Sequence, residues 1–177
     1  MADIRQIFRN LIMGECAKCV QTARESKERC DREENYYKFW KDLIQYHDSV
    51  KSGFKNRTST VDSWYSYDSV KSGMKYVFCF YEGKYPAISF DIGVGDEQEN
   101  RQIFQKLKLH SGQIGSKLQL LEWFDVDSTK HKSINLYHNK EYNVFSQDKN
   151  EKKETLQWFS SNMQTLENVL TPLIKQL

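Results

Sequence analysis

Residues 75–93, KYVFCFYEGKYPAISFDIG, constrain the fold more than any other stretch of this chain. Two runs dense in aromatic and β-branched residues, 76–81 and 87–92, flank the turn-forming segment Glu82-Gly83-Lys84-Tyr85-Pro86. Such residues fit a pleated, half-buried surface, and a short Gly-containing loop between two such runs predicts a β-hairpin. The first run is apolar on both alternating faces, which predicts a central strand covered on both sides. Pro86 lacks an amide hydrogen, so it belongs at the start of the second strand.

The rest of the chain supplies helices and further strands. Ile4, Ile7, Phe8, Leu11, Cys16, Cys19, Val20 and Ala23 recur at helical spacing. Residues 24–35 are nearly all polar, as in a solvated helix continuation or a link. Tyr36, Phe39, Trp40, Leu43, His47 and Val50 form the stripe of a second helix, with Ser52-Gly53 as its stop. Residues 54–72 read as a polar loop region. Asp96 is a plausible N-cap for a middle helix carrying Ile103, Phe104, Leu107, Ser111, Ile114 and Leu118. Residues 120–126 and 132–138 read as strands, and 142–145 as a short edge strand. A last helix from near Lys152 carries a coiled-coil-like seam, Leu156, Phe159, Met163, Leu166, Leu170, Leu173 and Leu177. Pro172 lies inside the seam and predicts a kink or an ending near Thr171. One face packed on the sheet explains the seam; a homodimer through it is the alternative. The expectation is an α+β fold: an antiparallel sheet of four to five strands with helices packed on it. Residues 1–35 form an N-terminal helical extension and 36–177 the α+β domain, the first two helices acting as an extension or a lid.

Chemistry is sparse. Cys16-Ala17-Lys18-Cys19 has CxxC spacing and, with Cys30 and His47, outlines a zinc set. Mid-helix Cys on an apolar stripe are more simply small core residues, so no metal and no cofactor are expected. Asp91, or Asp125 and Asp127 with His131, are the acids a metal-dependent nuclease would use. The Glu82-Gly83-Lys84 triplet precedes Asp91 and lies in a turn, the wrong order and element for such a site. No P-loop, GxSxG or GxGxxG occurs, and no catalytic residue is expected. No apolar run is long enough to span a membrane, and the interrupted N-terminal pattern is no signal peptide, so a cytoplasmic location is expected.

Binding signals remain. Aromatics reach 14%, enough to furnish stacking surfaces as well as a core. Lys51, Lys55, Arg57, Lys71 and Lys75 surround Trp64, Tyr65 and Tyr67. Lysines hold phosphates and exposed rings stack on unpaired bases. These residues are the candidate nucleic-acid or partner surface. The octapeptide DSVKSGFK at 48–55 returns as DSVKSGMK at 68–75. Each copy is either an anion-binding nest or a turn that ends one element and starts another.

Tyr36-x-x-Phe39-Trp40, the lone Trp64, the VFCFYEG strand, Asn100, Phe104 and Leu107, Leu121-Glu122-Trp123 and Trp158 together resemble an uncharacterised bacterial and phage domain family. Its members often stand C-terminal to restriction-endonuclease-like domains. The similarity covers roughly residues 36–177. It departs where members carry an acidic residue late in the middle helix and this chain has Ile114-Gly115. The resemblance implies an accessory module without its enzyme and supplies no catalytic residue. The resulting expectation is a non-catalytic binding protein acting on nucleic acid or a nuclease protein, in prokaryotic defence or phage counter-defence, for example as an inhibitor of an RNA-guided nuclease. A metal-dependent nuclease or nuclease remnant, and a structural homodimer, are the alternatives.

Overall fold

A single 47-residue helix, α1 (Ile4–Val50), enters the fold where two helices were expected. The structure is a computed structural model; it describes residues 4–50, 57–125, 131–146 and 148–177, with side chains from residue 21 onward. The polar stretch continues the helix because side chains one turn apart pair along it. Arg24 meets Glu28 at 2.9 Å and Lys38 meets Glu34 at 2.6 Å. Exposed pairs of this spacing add a few tenths of a kcal/mol each. Ser52 and Gly53, the expected stop, lie outside the described residues.

The elements then run β1 (Trp64–Asp68), β2 (Met74–Tyr81), β3 (Tyr85–Ile92), α2 (Glu97–Lys108), α3 (Ser111–Gly115), β4 (Glu122–Phe124), β5 (Lys132–Tyr137) and α4 (Lys149–Ile174). The five strands form one sheet in the order β1-β2-β3-β5-β4, and every neighbouring pair is antiparallel. This is the α+β fold expected. The hairpin holds: Phe80 pairs with Pro86 and Tyr81 with Tyr85 across the turn. Gly83 takes φ +73°, a conformation that glycine adopts without strain.

Alternation along the strands sends one set of side chains toward the helices. Tyr65, Tyr67, Tyr76, Phe78, Phe80, Ile88, Phe90, Ile134 and Leu136 are all buried there. The C-terminal third of α1 and most of α4 cover them. Phe39, Phe80 and Phe159, from α1, β2 and α4, form a triangle with centroid separations of 5.0, 5.6 and 5.9 Å. Trp40 closes against Phe80 at 5.3 Å and donates its indole N–H to Asp62 O at 2.8 Å. The expectation of a lid is therefore corrected. Residues 36–47 of α1 are a wall of the core, because the rings of their apolar stripe pack against Phe80, Tyr142 and Phe159.

Other boundaries moved for local reasons. Residues 64–68 form β1 rather than loop, since Tyr65 and Tyr67 alternate inward. β4 is shorter than expected; Leu120 sits at φ +63° before it and is almost fully exposed. Residues 142–145 make no strand: Tyr142 turns into the core against Phe39 at 5.3 Å. The middle helix breaks after Lys108, at the weak helix formers His110-Ser111-Gly112. Asp96 caps α2 as expected, accepting from Glu99 N at 2.9 Å. Behind it the buried Asn100 accepts from Val94 N and Gly95 N, fixing the turn after β3. α4 starts earlier, at the N-cap Asp148, and passes Pro172 without ending. Pro172 is exposed in the last turn, and buried Leu170, Leu173 and Ile174 anchor the helix on both sides. The α4 seam from Leu156 to Leu173 is buried inside the chain, so packing on the sheet accounts for its spacing.

Lys132 opens β5 on the helix side and is wholly buried. Its ammonium reaches Asp125 at 3.1 Å and Glu97 at 3.9 Å. Burial alone would raise the Asp125 carboxyl, but the Lys132 hydrogen bond and nearby Arg101 outweigh it and hold it below the ordinary carboxylate value.

The aromatic triangle sets a clear test. Phe39→Ala should lower unfolding stability by about 3–5 kcal/mol, whereas Tyr37→Ala, on the exposed side of the same turn, should change it by less than about 0.5 kcal/mol. Urea denaturation of the two variants measures this, and equal losses would remove residues 36–47 from the core.

Candidate functional site on the open sheet face

The second set of alternating side chains points away from the helices. Register places them in rows across the sheet. Trp64, Cys79, Ala87 and Tyr137 form one row. Ser66, Val77, Ser89, Asn135 and Glu122 form the next. Asp68, Lys75, Asp91, Ser133 and Phe124 form the third. This corrects the expectation that β2 is covered on both faces by packed elements: its second face lines a cleft. The cleft has a volume of about 540 Å³ and is lined mainly by β2, β3 and β5, with Phe124 and His131 at one end. That size suits a small organic group rather than water alone.

The floor is narrow and the walls are aromatic. Val77, Ala87 and Ser89 are small and buried. Tyr81 and Tyr137 meet edge to face at 5.3 Å above them. Tyr81 is 52% exposed, Trp64 50% and Phe124 37%. An edge-to-face pair of tyrosines with open faces can accept a further flat ring.

Polar groups converge toward the end that holds Phe124 and His131. Ser89 donates its hydroxyl to Asp91 Oδ1. Burial raises the Asp91 carboxyl above its ordinary value, opposed by the Ser89 hydrogen bond and by the charges of His131 and Lys75. Asn135 donates from Nδ2 to Tyr137 Oη at 3.3 Å, and its buried Oδ1 has no hydrogen-bond partner. Cys79 is no nucleophile here: burial, and then the Asp91 charge, push its thiol up to about 12. Gly93 makes room for His131, because a Cβ there would lie 2.6 Å from His131 Nδ1. Gly93 N also donates to Gly73 O at 2.8 Å, tying the β1–β2 turn to the end of β3.

The sequence candidates divide between the two faces. Trp64 and Lys75 stand on the open face. Tyr65 and Tyr67 do not; they are core residues, and Tyr67 Oη donates to buried Glu167 at 3.0 Å. The Arg57 guanidinium sits 4.6 Å from the Tyr67 ring centroid, on the helix side. Lys71 lies in the β1–β2 turn, where its amide donates to Ser69 Oγ and its carbonyl accepts from Met74 N. Lys51 and Lys55 lie outside the described residues. Strand alternation separates the cluster: neighbours in sequence on β1 point opposite ways. Tyr81, Asn135 and Tyr137 were missed as site residues, although the shared face of 133, 135 and 137 is legible in the alternation.

The two DSVKSG copies are not equivalent. Asp48-Ser49-Val50 ends α1, while the second copy, 68–73, connects β1 to β2. The rest of the first copy lies outside the described residues. Of the zinc candidates, Cys16 and Cys19 have side chains outside the described ones, and Cys30 is exposed. His47 is buried, with Nδ1 2.9 Å from Ser160 Oγ. Among the described residues no three His, Cys, Asp or Glu side chains gather as metal ligands, and no helix is long and apolar enough to cross a membrane.

The chain is a five-stranded antiparallel sheet backed by helices on one side, and it matches the family described as Domain of unknown function (DUF4268). The family model matches residues 35–174, and the chain belongs to that family. No curated protein and no solved structure matches the chain.

Asp91 gives a pH test. Its folded value is raised, so the folded state holds its proton more tightly than the unfolded chain does. Ionising it therefore destabilises the fold, and that penalty grows as pH rises from about 4 through the folded value. Asp91→Asn should raise the thermal midpoint at pH 7, and the gain should vanish below about pH 4. A gain that is constant with pH would contradict a buried carboxylate.

Proposed function

We propose that this domain is a non-catalytic binding module whose helix-free sheet face receives single-stranded nucleic acid. The observation that carries this reading is a set of exposed rings on one face of a rigid antiparallel sheet: Tyr81 and Phe124 line the cleft with Tyr137, and Trp64 stands on the same face in the edge strand β1. Unpaired bases present flat faces that stack on such rings, whatever their sequence. Lys75, exposed in the row of Asp91, is placed to meet a phosphate. The rigid sheet matters: side chains fixed by strand register lose little freedom on binding.

A nuclease-associated setting, in defence or counter-defence, rests on the family resemblance drawn from the sequence. Its chemistry is compatible with a module that holds a strand for a separate enzyme. Pull-down from a bacterial lysate, with and without nuclease treatment, tests that setting: enrichment of a nucleic acid or a nuclease subunit supports it, and enrichment of neither removes it.

Fluorescence anisotropy with labelled uridine and thymidine oligonucleotides tests the binding itself. Affinity should fall as salt rises, with a log–log slope near 0.7 per contacted phosphate. Trp64→Ala and Tyr81→Ala, both at exposed positions, should each weaken binding about 5- to 100-fold, the equivalent of about 1–3 kcal/mol per stacked base. Unchanged affinity in both variants would place the strand elsewhere.

A further inference from the structure

We propose that the cleft beside Asp91 is a base-reading pocket for guanine: Asp91 accepts from the adjacent N1–H and N2 amino groups of one unpaired guanine lying against Tyr81 and Tyr137. The inference rests on the single-strand reading above and adds the identity of the base.

The cleft leaves hydrogen-bond acceptors open. Asp91 Oδ1 is engaged by Ser89, and Asn135 Oδ1, buried in the same cleft, accepts nothing. Asp91 Oδ1 has Ser89 as a partner and its carboxylate can take further donors, whereas Asn135 Oδ1 is buried without a partner, which is costly. A ligand that relieves them must bring donors. Among the nucleobases, guanine places two donor groups side by side on its pairing edge. Adenine and cytosine there offer one amino group beside a ring acceptor, and uracil one N–H. A carboxylate matches the guanine pair with two parallel hydrogen bonds, as it matches other paired donors.

A cationic side chain from a protein would also satisfy a carboxylate between aromatic rings. Local charge argues against it. Lys75 stands directly opposite Asp91 in the register, and both Lys75 and His131 act on the Asp91 carboxylate. Positive charge already at that carboxylate repels an incoming cation. It suits instead a neutral ring attached to a negative phosphate.

The cleft also has the right form. Its floor is made of Ala87 and Ser89, so nothing large occupies the space between Tyr81 and Asp91. Tyr81 and Tyr137 lie toward one end of the cleft and Asp91, with Phe124 in its row, toward the other, so a base stacked on the tyrosines turns an edge toward Asp91.

The test is anisotropy with a uridine oligonucleotide carrying one central guanine, adenine, cytosine or inosine, with guanosine monophosphate tested separately by NMR. Wild-type protein should prefer the guanine strand about tenfold over adenine and cytosine, with inosine, which lacks the N2 amino group, between them. Asp91→Asn should erase the preference. Equal affinity for all four strands, or a guanine preference that survives Asp91→Asn, overturns the guanine pocket and leaves the single-strand reading intact. Protein that binds no oligonucleotide but shows guanosine monophosphate shifting the amides around Asp91 keeps the pocket and overturns the strand reading. Binding of neither overturns both.

Discussion

The fold depends on one aromatic cluster that joins three elements distant in sequence. Phe39 and Trp40 come from α1, Phe78 and Phe80 from β2, and Phe159 from α4. Rings of this size each bury a large apolar area and prefer the edge-to-face and tilted contacts seen here. Because these rings supply the bulk, α1 and α4 are drawn to one side of the sheet. Tyr142 seals the end of the cluster against Phe80 at 5.7 Å, and α2 with Trp123 extends it past β5 through Phe104 at 5.6 Å. Among the described residues the helices thus gather on one face, and the other face keeps its rows of mixed side chains.

That asymmetry turns a structural sheet into a platform. On the helix side, polar groups are few and tied down, as with Lys132 between Asp125 and Glu97 or Tyr67 on Glu167. On the open side, the polar groups are half-buried and partly unmatched, as with Asp91 and Asn135. Half-buried groups that lack partners are poor contributors to stability and good candidates for recognition. The same five strands carry both roles, because successive side chains on a strand face opposite ways.

Much of the fold was legible in the sequence because its strongest signals are local. The hairpin followed from ring density and Gly83, the α2 cap from Asp96, and the packed seam of α4 from its spacing. The site was legible only in part. Lys, Arg and ring residues near one another in sequence suggested a single patch, but Tyr65 and Tyr67 belong to the core, and among the described candidates Trp64 and Lys75 reach the open face. The period of two on β1 would have separated them, had the polar composition of residues 54–72 not hidden the strand. Tyr81, Asn135 and Tyr137 come together only through the pairing of β3 with β5, a contact across more than forty residues that no local pattern encodes. The continuity of α1 through residues 24–35 was likewise hidden, since its support comes from exposed charge pairs rather than an apolar stripe.

The central claim is that the open face, and not the helical side, meets nucleic acid. The four tryptophans report on it directly, since Trp64 stands on the open face while Trp40, Trp123 and Trp158 contact the core. NMR spectra of the indole N–H groups, recorded while a single-stranded oligonucleotide is added, decide the matter. The account predicts that the Trp64 signal moves with the titration and that the Trp40 signal, held by Asp62 O, stays fixed. A Trp64 signal that stays fixed while binding saturates, or shifts confined to Trp158 and Trp123, would contradict it.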